Sequence, residues 1–137
     1  GTARPGEDAL AEADAKDLCQ WIKETLGDSV NEVGVSGRLV DSPAIALNAD
    51  KFMTPSMRRM MKAVKKDADL KYSVNLEINT GHKLIKNLQA LKGKDHETAR
   101  LVVEQIFDNA LIAAGYLEDP RSMVDRLYRI LERVAEK

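Results

Sequence analysis

The chain is poor in the residues that carry most enzyme and metal chemistry. One cysteine, two histidines, one tryptophan and two phenylalanines are all that 137 residues contain of those types. Cys19 has no second thiol to pair with, which suits a reducing compartment. It lies in an amphipathic stretch with no activating neighbour pattern, so a buried, inert thiol is expected. His82 and His96 stand without carboxylate or thiolate at ligand spacing, and no metal site is expected. No apolar run approaches the roughly 18 residues a membrane span needs. No signal-peptide core follows the first residues either, and a cytoplasmic location is expected. A net charge of -1 argues against wholesale binding to nucleic acid or membrane. Gly34-Val35-Ser36-Gly37 lacks the Lys-Ser/Thr of a phosphate loop, and no pair of carboxylates is singled out for acid–base work. These absences exclude an enzyme of any recognisable type: no catalytic, cofactor-binding or metal-ligating residue is assigned.

With aromatics at 4%, Leu, Val, Ile, Ala and Met must fill the core, and the length suits a single domain. Residues 1–7, beginning Gly1-Thr2-Ala3-Arg4-Pro5-Gly6, read as a linker or cloning scar, and residues 8–137 as one domain cut from a longer protein. Asp8 to Leu26 is predicted as a helix with Leu18, Trp21, Ile22 and Leu26 on its apolar stripe, stopped by Gly27. Val30 to Leu39 and Ala44 to Asn48 read as strands, the first with Val33, Val35 and Leu39 on one face, the second carrying Ile45 and Leu47. Gly34 and Gly37 mark a bulge or a close backbone approach. Thr54-Pro55 starts a helix to about Lys66. Tyr72, Val74, Leu76 and Ile78 alternate with Ser73, Asn75 and Glu77, as a half-buried strand requires. Asn79-Thr80-Gly81 then breaks the run, and a short helix follows over about His82 to Ala90. Lys92 to Asp95 reads as a loop, with Asp95 capping a helix to Ala114 that Gly115 stops. Asp119-Pro120 opens a last helix to about Ala135. The order predicts an α+β domain: a small three-stranded sheet covered by helices on one face.

Two features invite a functional reading. Met53, Met57, Met60, Met61 and Val64 form one stripe of the helix after Thr54, with Arg58, Arg59, Lys62, Lys65 and Lys66 on the remaining surface. Read from the residues, such a stripe packs on a sheet; exposed, it adapts to many apolar partners. A competing reading makes it a basic amphipathic module for nucleic acid or anionic lipid through Arg58, Arg59, Lys62 and Lys66. The second feature is the last helical pair. Val102, Val103, Ile106, Phe107, Ala110, Leu111 and Ala114 form a wide stripe, and Met123, Leu127, Ile130, Leu131 and Val134 repeat at helical spacing. Such a hairpin exceeds what a three-stranded sheet can cover, and self-association into an intermolecular four-helix bundle would bury the surplus.

Three blocks resemble, in order, the C-terminal domain of the heat shock protein 90 chaperones. They are Val35-Ser36-Gly37-Arg38-Leu39-Val40-Asp41-Ser42-Pro43-Ala44 as a hairpin, Met53-Thr54-Pro55-Ser56-Met57, and Leu76-Glu77-Ile78-Asn79 with His82, Leu84, Ile85 and Leu88. Gln105-Ile106-Phe107-Asp108-Asn109-Ala110-Leu111-Ile112-Ala113-Ala114-Gly115 and Asp119-Pro120-Arg121 are similar to the bacterial and mitochondrial branches. The resemblance implies a chaperone whose ATP and Mg sites lie in other domains, leaving no cofactor for this piece. It implies a homodimer, with Val103, Ile106, Phe107, Ala110, Leu111, Met123, Leu127, Ile130, Leu131 and Val134 at the interface. It also implies that Phe52, Met53, Met57, Met60 and Met61 are exposed to unfolded or partly folded clients. Thr80 replaces the family's usual proline, and Asn79 with Gly81 is expected to keep the turn. The chain ends Glu132-Arg133-Val134-Ala135-Glu136-Lys137, without the acidic pentapeptide that eukaryotic cytosolic members offer to tetratricopeptide co-chaperones, so that partner is not expected.

Overall fold

The central strand of the sheet is the last of the three in the chain. A computed structural model describes residues 9–37, 41–49, 55–64, 73–117 and 119–136. Its strands β1 (Glu32–Val35), β2 (Ala44–Asn48) and β3 (Val74–Ile78) lie in the order β1-β3-β2. The helices are α1 (Glu12–Leu26), α2 (Pro55–Val64), α3 (Lys83–Lys94), α4 (His96–Ala114) and α5 (Val124–Ala135). β1 runs parallel to β3, placing Val33 opposite Leu76, and β2 runs antiparallel, placing Ala46 opposite the same residue. The α+β class is as the element order predicts. The hairpin expected over residues 35–44 is not: β1 and β2 each pair with β3, which separates them.

β3 and the turn after it obey their pattern. Val74, Leu76 and Ile78 are buried while Asn75 and Glu77 are half-buried. Asn79 Oδ1 accepts the Gly81 N–H at 3.0 Å and the Asn79 carbonyl accepts the His82 N–H at 3.0 Å, so the turn forms without proline. His82 then caps α3 through Nδ1, which accepts the Leu84 N–H at 3.0 Å.

Helices line one face of this strand. The core joins Leu18, Cys19 and Ile22 of α1, Ile85 and Leu88 of α3, and Val103, Ile106 and Phe107 of α4 to the inner face of β3. α4 crosses β2, whose contribution to the core is Ala44 and Ala46 rather than the expected Ile45 and Leu47, which are half-buried on the other face. Methyl side chains let a helix lie close to a strand; larger ones would hold it off. Burial pushes the Cys19 thiol above its ordinary pKa, as an apolar site disfavours the thiolate.

Several boundaries differ from expectation. α1 begins at Glu12, and its buried residues are Ala15, Leu18, Cys19 and Ile22, with Trp21 and Leu26 at the core's edge. β1 is four residues long, Val35 is exposed, and Leu39 lies outside the described residues. Gly34 pairs in regular register with Glu77, and a Cβ there would meet open space, so it marks neither a bulge nor a close approach. α2 is described to Val64, and Tyr72 lies outside the described residues. The loop expected from Lys92 is helix: α3 continues through Gly93 to Lys94, and Asp95 alone separates it from α4. Lys92, paired with Asp17 of α1 at 2.7 Å, holds that last turn down.

Candidate interaction surfaces

α4 is bounded at both ends by the chemistry its sequence offers. Asp95 Oδ1 accepts the Thr98 N–H at 3.2 Å, and the Thr98 hydroxyl donates to Asp95 Oδ2 at 2.5 Å. These bonds favour the carboxylate and lower the Asp95 pKa from its ordinary value, the hydroxyl contributing most. At the far end Gly115 takes a left-handed conformation (φ 79°), its N–H reaching the Ile112 carbonyl and the Tyr116 N–H reaching Leu111. That pair of bonds is a Schellman stop, which a side chain with a Cβ would strain. Asp119 accepts the Arg121 N–H at 3.0 Å, and Pro120 opens a short 3-10 turn before α5. The Arg121 guanidinium, followed by that backbone N–H, lowers the Asp119 pKa.

α5 then returns beside α4 and is fastened by polar groups. Arg126 Nη1 donates to Asp108 Oδ2 at 2.8 Å and to Gln105 Oε1 at 3.1 Å. The Gln105 amide donates to Asn109 Oδ1 at 2.9 Å and to the buried Met123 Sδ at 3.1 Å. Arg133 Nη1 donates to the Thr98 hydroxyl at 2.9 Å and lies 3.6 Å from Asp95 Oδ2, with Glu97 also in range. Positions 126, 130 and 133, continuing from Met123 in the turn before the helix, are spaced by three and four residues, so one stripe of α5 is turned to α4.

The other stripe is apolar and open. Val124, Leu127, Tyr128, Leu131 and Val134 share a face at the same spacing, and their exposures run from 36% at Leu127 to 63% at Val134. No residue of α5 is buried. On α4, Ile112 is exposed as well.

The residues expected at a dimer interface therefore fall into two groups. Val103, Ile106, Phe107 and Ala110 are in the chain's own core, Met123 is buried, and Leu111 is packed against that core. Leu127, Leu131 and Val134 are exposed, and Ile130 is half-buried at the margin. Reading the stripe by apolar residues alone missed Val124 and Tyr128, although their spacing from Leu127 and Leu131 is the available signal. It also missed that two arginines face inward, because the partners that hold them come from α4.

α2 presents the second surface. Met57, Met60, Met61 and Val64 are all exposed, Met60 at 68% and Val64 at 78%. The packing read from periodicity is not what these four show. Phe52 and Met53, expected beside them, lie outside the described residues. Arg59 Nη1 donates to the Gly115 carbonyl at 3.2 Å and Nη2 to the Ser56 hydroxyl at 3.4 Å.

No grouping of His, Cys, Asp or Glu suited to a metal occurs among the described residues. His82 is a cap, and His96 accepts the Trp21 indole N–H at 3.4 Å with the rings edge to face. A pocket of about 270 Å³ lies between β2 and the second half of α4, floored by Ala44, Ala46 and Ala110, and no titratable side chain lines it. No described helix is long and apolar enough to cross a membrane.

What these surfaces define is an α+β domain that has completed its own core and still displays two apolar helix faces. A family profile described as Hsp90 protein matches residues 4–137, and the chain belongs to that family. It is 47% identical over 127 residues to the chaperone protein HtpG of Desulfitobacterium hafniense (strain Y51), covering 93% of this chain and 20% of that protein. The HtpG of Desulfotalea psychrophila is 42% identical over 135 residues, covering 96% and 22%. The mitochondrial heat shock protein 75 kDa of Bos taurus is 36% identical over 137 residues, covering 97% and 19%. The chain thus spans about a fifth of the length of these relatives.

Proposed function

We propose that this chain is the C-terminal dimerisation and client-contact domain of a cytoplasmic, ATP-dependent Hsp90-type chaperone. The observation that carries the reading is the apolar stripe of α5, exposed along its length while the opposite stripe is fastened to α4. A single helix face of this kind, repeated at spacings of three and four, is what two copies need to form a four-helix bundle from two hairpins. Ile112 of α4 is a further exposed apolar side chain.

Tethering supplies the physical purpose. Joining two protomers raises the effective concentration of whatever each carries elsewhere, so that transient contacts between distant parts become intramolecular. ATP and Mg would act in those distant parts; this domain is not an enzyme and holds no cofactor. The exposed methionines of α2 suit unfolded or partly folded clients, because a flexible, polarizable side chain adapts to many apolar shapes. The basic-face reading is weaker, because Arg59 is already engaged by a carbonyl.

Light scattering over a dilution series tests the tether: a dimer persisting to low micromolar supports it, and a monomer at every concentration rejects it for this chain. Met57→Lys with Met61→Lys tests the client face. Binding of a permanently unfolded polypeptide should fall while the mass stays constant; loss of both together would make the stripe structural.

A further inference from the structure

The structure ties the exposed methionine helix to the turn that joins α4 and α5. Arg59 reaches the carbonyl of Gly115, fifty-six positions away in sequence. That carbonyl sits just beyond the last turn of α4, where the helix dipole is negative and a cation is favoured. Gly115 is held in place by its own stop: its N–H and that of Tyr116 are committed to Ile112 and Leu111, so its carbonyl cannot swing freely. On the α2 side, Ser56 accepts from the same guanidinium, which orients the fork toward the turn. A planar, two-pronged donor suits this job, and an ammonium would not replace it fully.

We propose that Arg59 is a coupling latch: its bond to Gly115 holds α2 against the α4–α5 turn, so that engagement of the methionine face and the state of the helical hairpin influence one another. The latch is exposed and therefore weak, which is what a contact that opens and closes requires. Coupling of this kind is reciprocal. Whatever pulls α2 away from the turn loosens the turn, and whatever shifts the turn changes how α2 is presented. The functional meaning rests on reading α2 as a client surface, but the latch itself does not.

Hydrogen exchange on the whole chain separates the two. Arg59→Ala should raise exchange several-fold across residues 55–64, with Arg59→Lys between it and the parent. Alanine is the better helix former, so a rise cannot be ascribed to propensity. Unchanged exchange in α2 of Arg59→Ala overturns the latch. Reduced, carboxymethylated lactalbumin, added as an unfolded client, should alter exchange over residues 111–117 in the parent and not in Arg59→Ala. An equal response in both overturns the coupling. If the parent does not bind lactalbumin at all, the client reading of α2 fails, and the exchange of α2 in Arg59→Ala still decides the latch.

Discussion

Along α4, Val103, Ile106, Phe107 and Ala110 meet the sheet and α1, and little large apolar surface beyond Ile112 remains exposed. Along α5, Val124, Leu127, Tyr128, Leu131 and Val134 stay exposed, while Arg126 and Arg133 face the neighbouring helix. The usual arrangement of a surface helix, apolar inward and charged outward, holds for α4; α5 instead turns Arg126 and Arg133 to its neighbour and leaves five large apolar side chains exposed. The difference teaches that amphipathicity fixes the contrast between two faces but not which of them belongs to the chain. α5 is positioned by hydrogen bonds, which are directional, and its apolar stripe is left exposed.

The comparison breaks most sharply at Phe107. Phe107→Ala should lower the free energy of unfolding by about 3–5 kcal/mol in denaturant titration, as buried aromatic truncations do. Leu131→Asp should instead leave monomer unfolding nearly unchanged and weaken self-association by at least about tenfold, or roughly 1.4 kcal/mol, in a light-scattering dilution series. Equal effects of the two on monomer stability would erase the distinction. Arg126→Met should cost about 1–3 kcal/mol, because Asp108 and Gln105 lose a donor in a mostly buried site. An unchanged thermal midpoint would mean that packing alone holds α5.

The smallest effect concerns the α4 cap. The Asp95 pKa is lowered in the fold, so its contribution is complete above the unfolded carboxyl value of about 3.9 and is lost as pH falls through the lower folded value. Thermal melts taken from neutral pH down past that window should show a shallower decline for Asp95→Asn, which still caps but does not titrate. Cys19 offers a control on the core: it should resist a thiol reagent until denaturant is added, and ready labelling of the folded chain would contradict its burial.

Much of this architecture was legible in the residues. The alternation from Val74 to Ile78, the Asn79 turn, the Asp95 cap, the Gly115 stop and the Asp119-Pro120 start are local rules, and each is satisfied locally. What could not be read depends on neighbours distant in sequence. Ala44 and Ala46 face the core because α4 lies over them, and Gly93 stays helical where Lys92 holds Asp17. The stripes of the last two helices looked alike because periodicity reports a face and not its partner. The methionine stripe, read from its spacing alone, misleads for the same reason in the other direction: the spacing suits a core, and Met57, Met60, Met61 and Val64 are exposed, as the resemblance implied for the methionines.

The place of β3 in the middle of the sheet has a consequence for how the chain acquires its shape. β1 and β2 are made first and share no edge, so neither has a partner until β3 arrives; Glu32 waits for Asn75, more than forty residues later. A nascent chain that has reached only α2 carries two unsatisfied strands and no sheet. Sheet assembly is thus gated by one five-residue segment, which must close a long loop to β1 before the ladder stabilises it. Substitutions such as Leu76→Ala should therefore slow folding, whereas substitutions on the outer stripe of α5 should leave the folding rate of the monomer untouched.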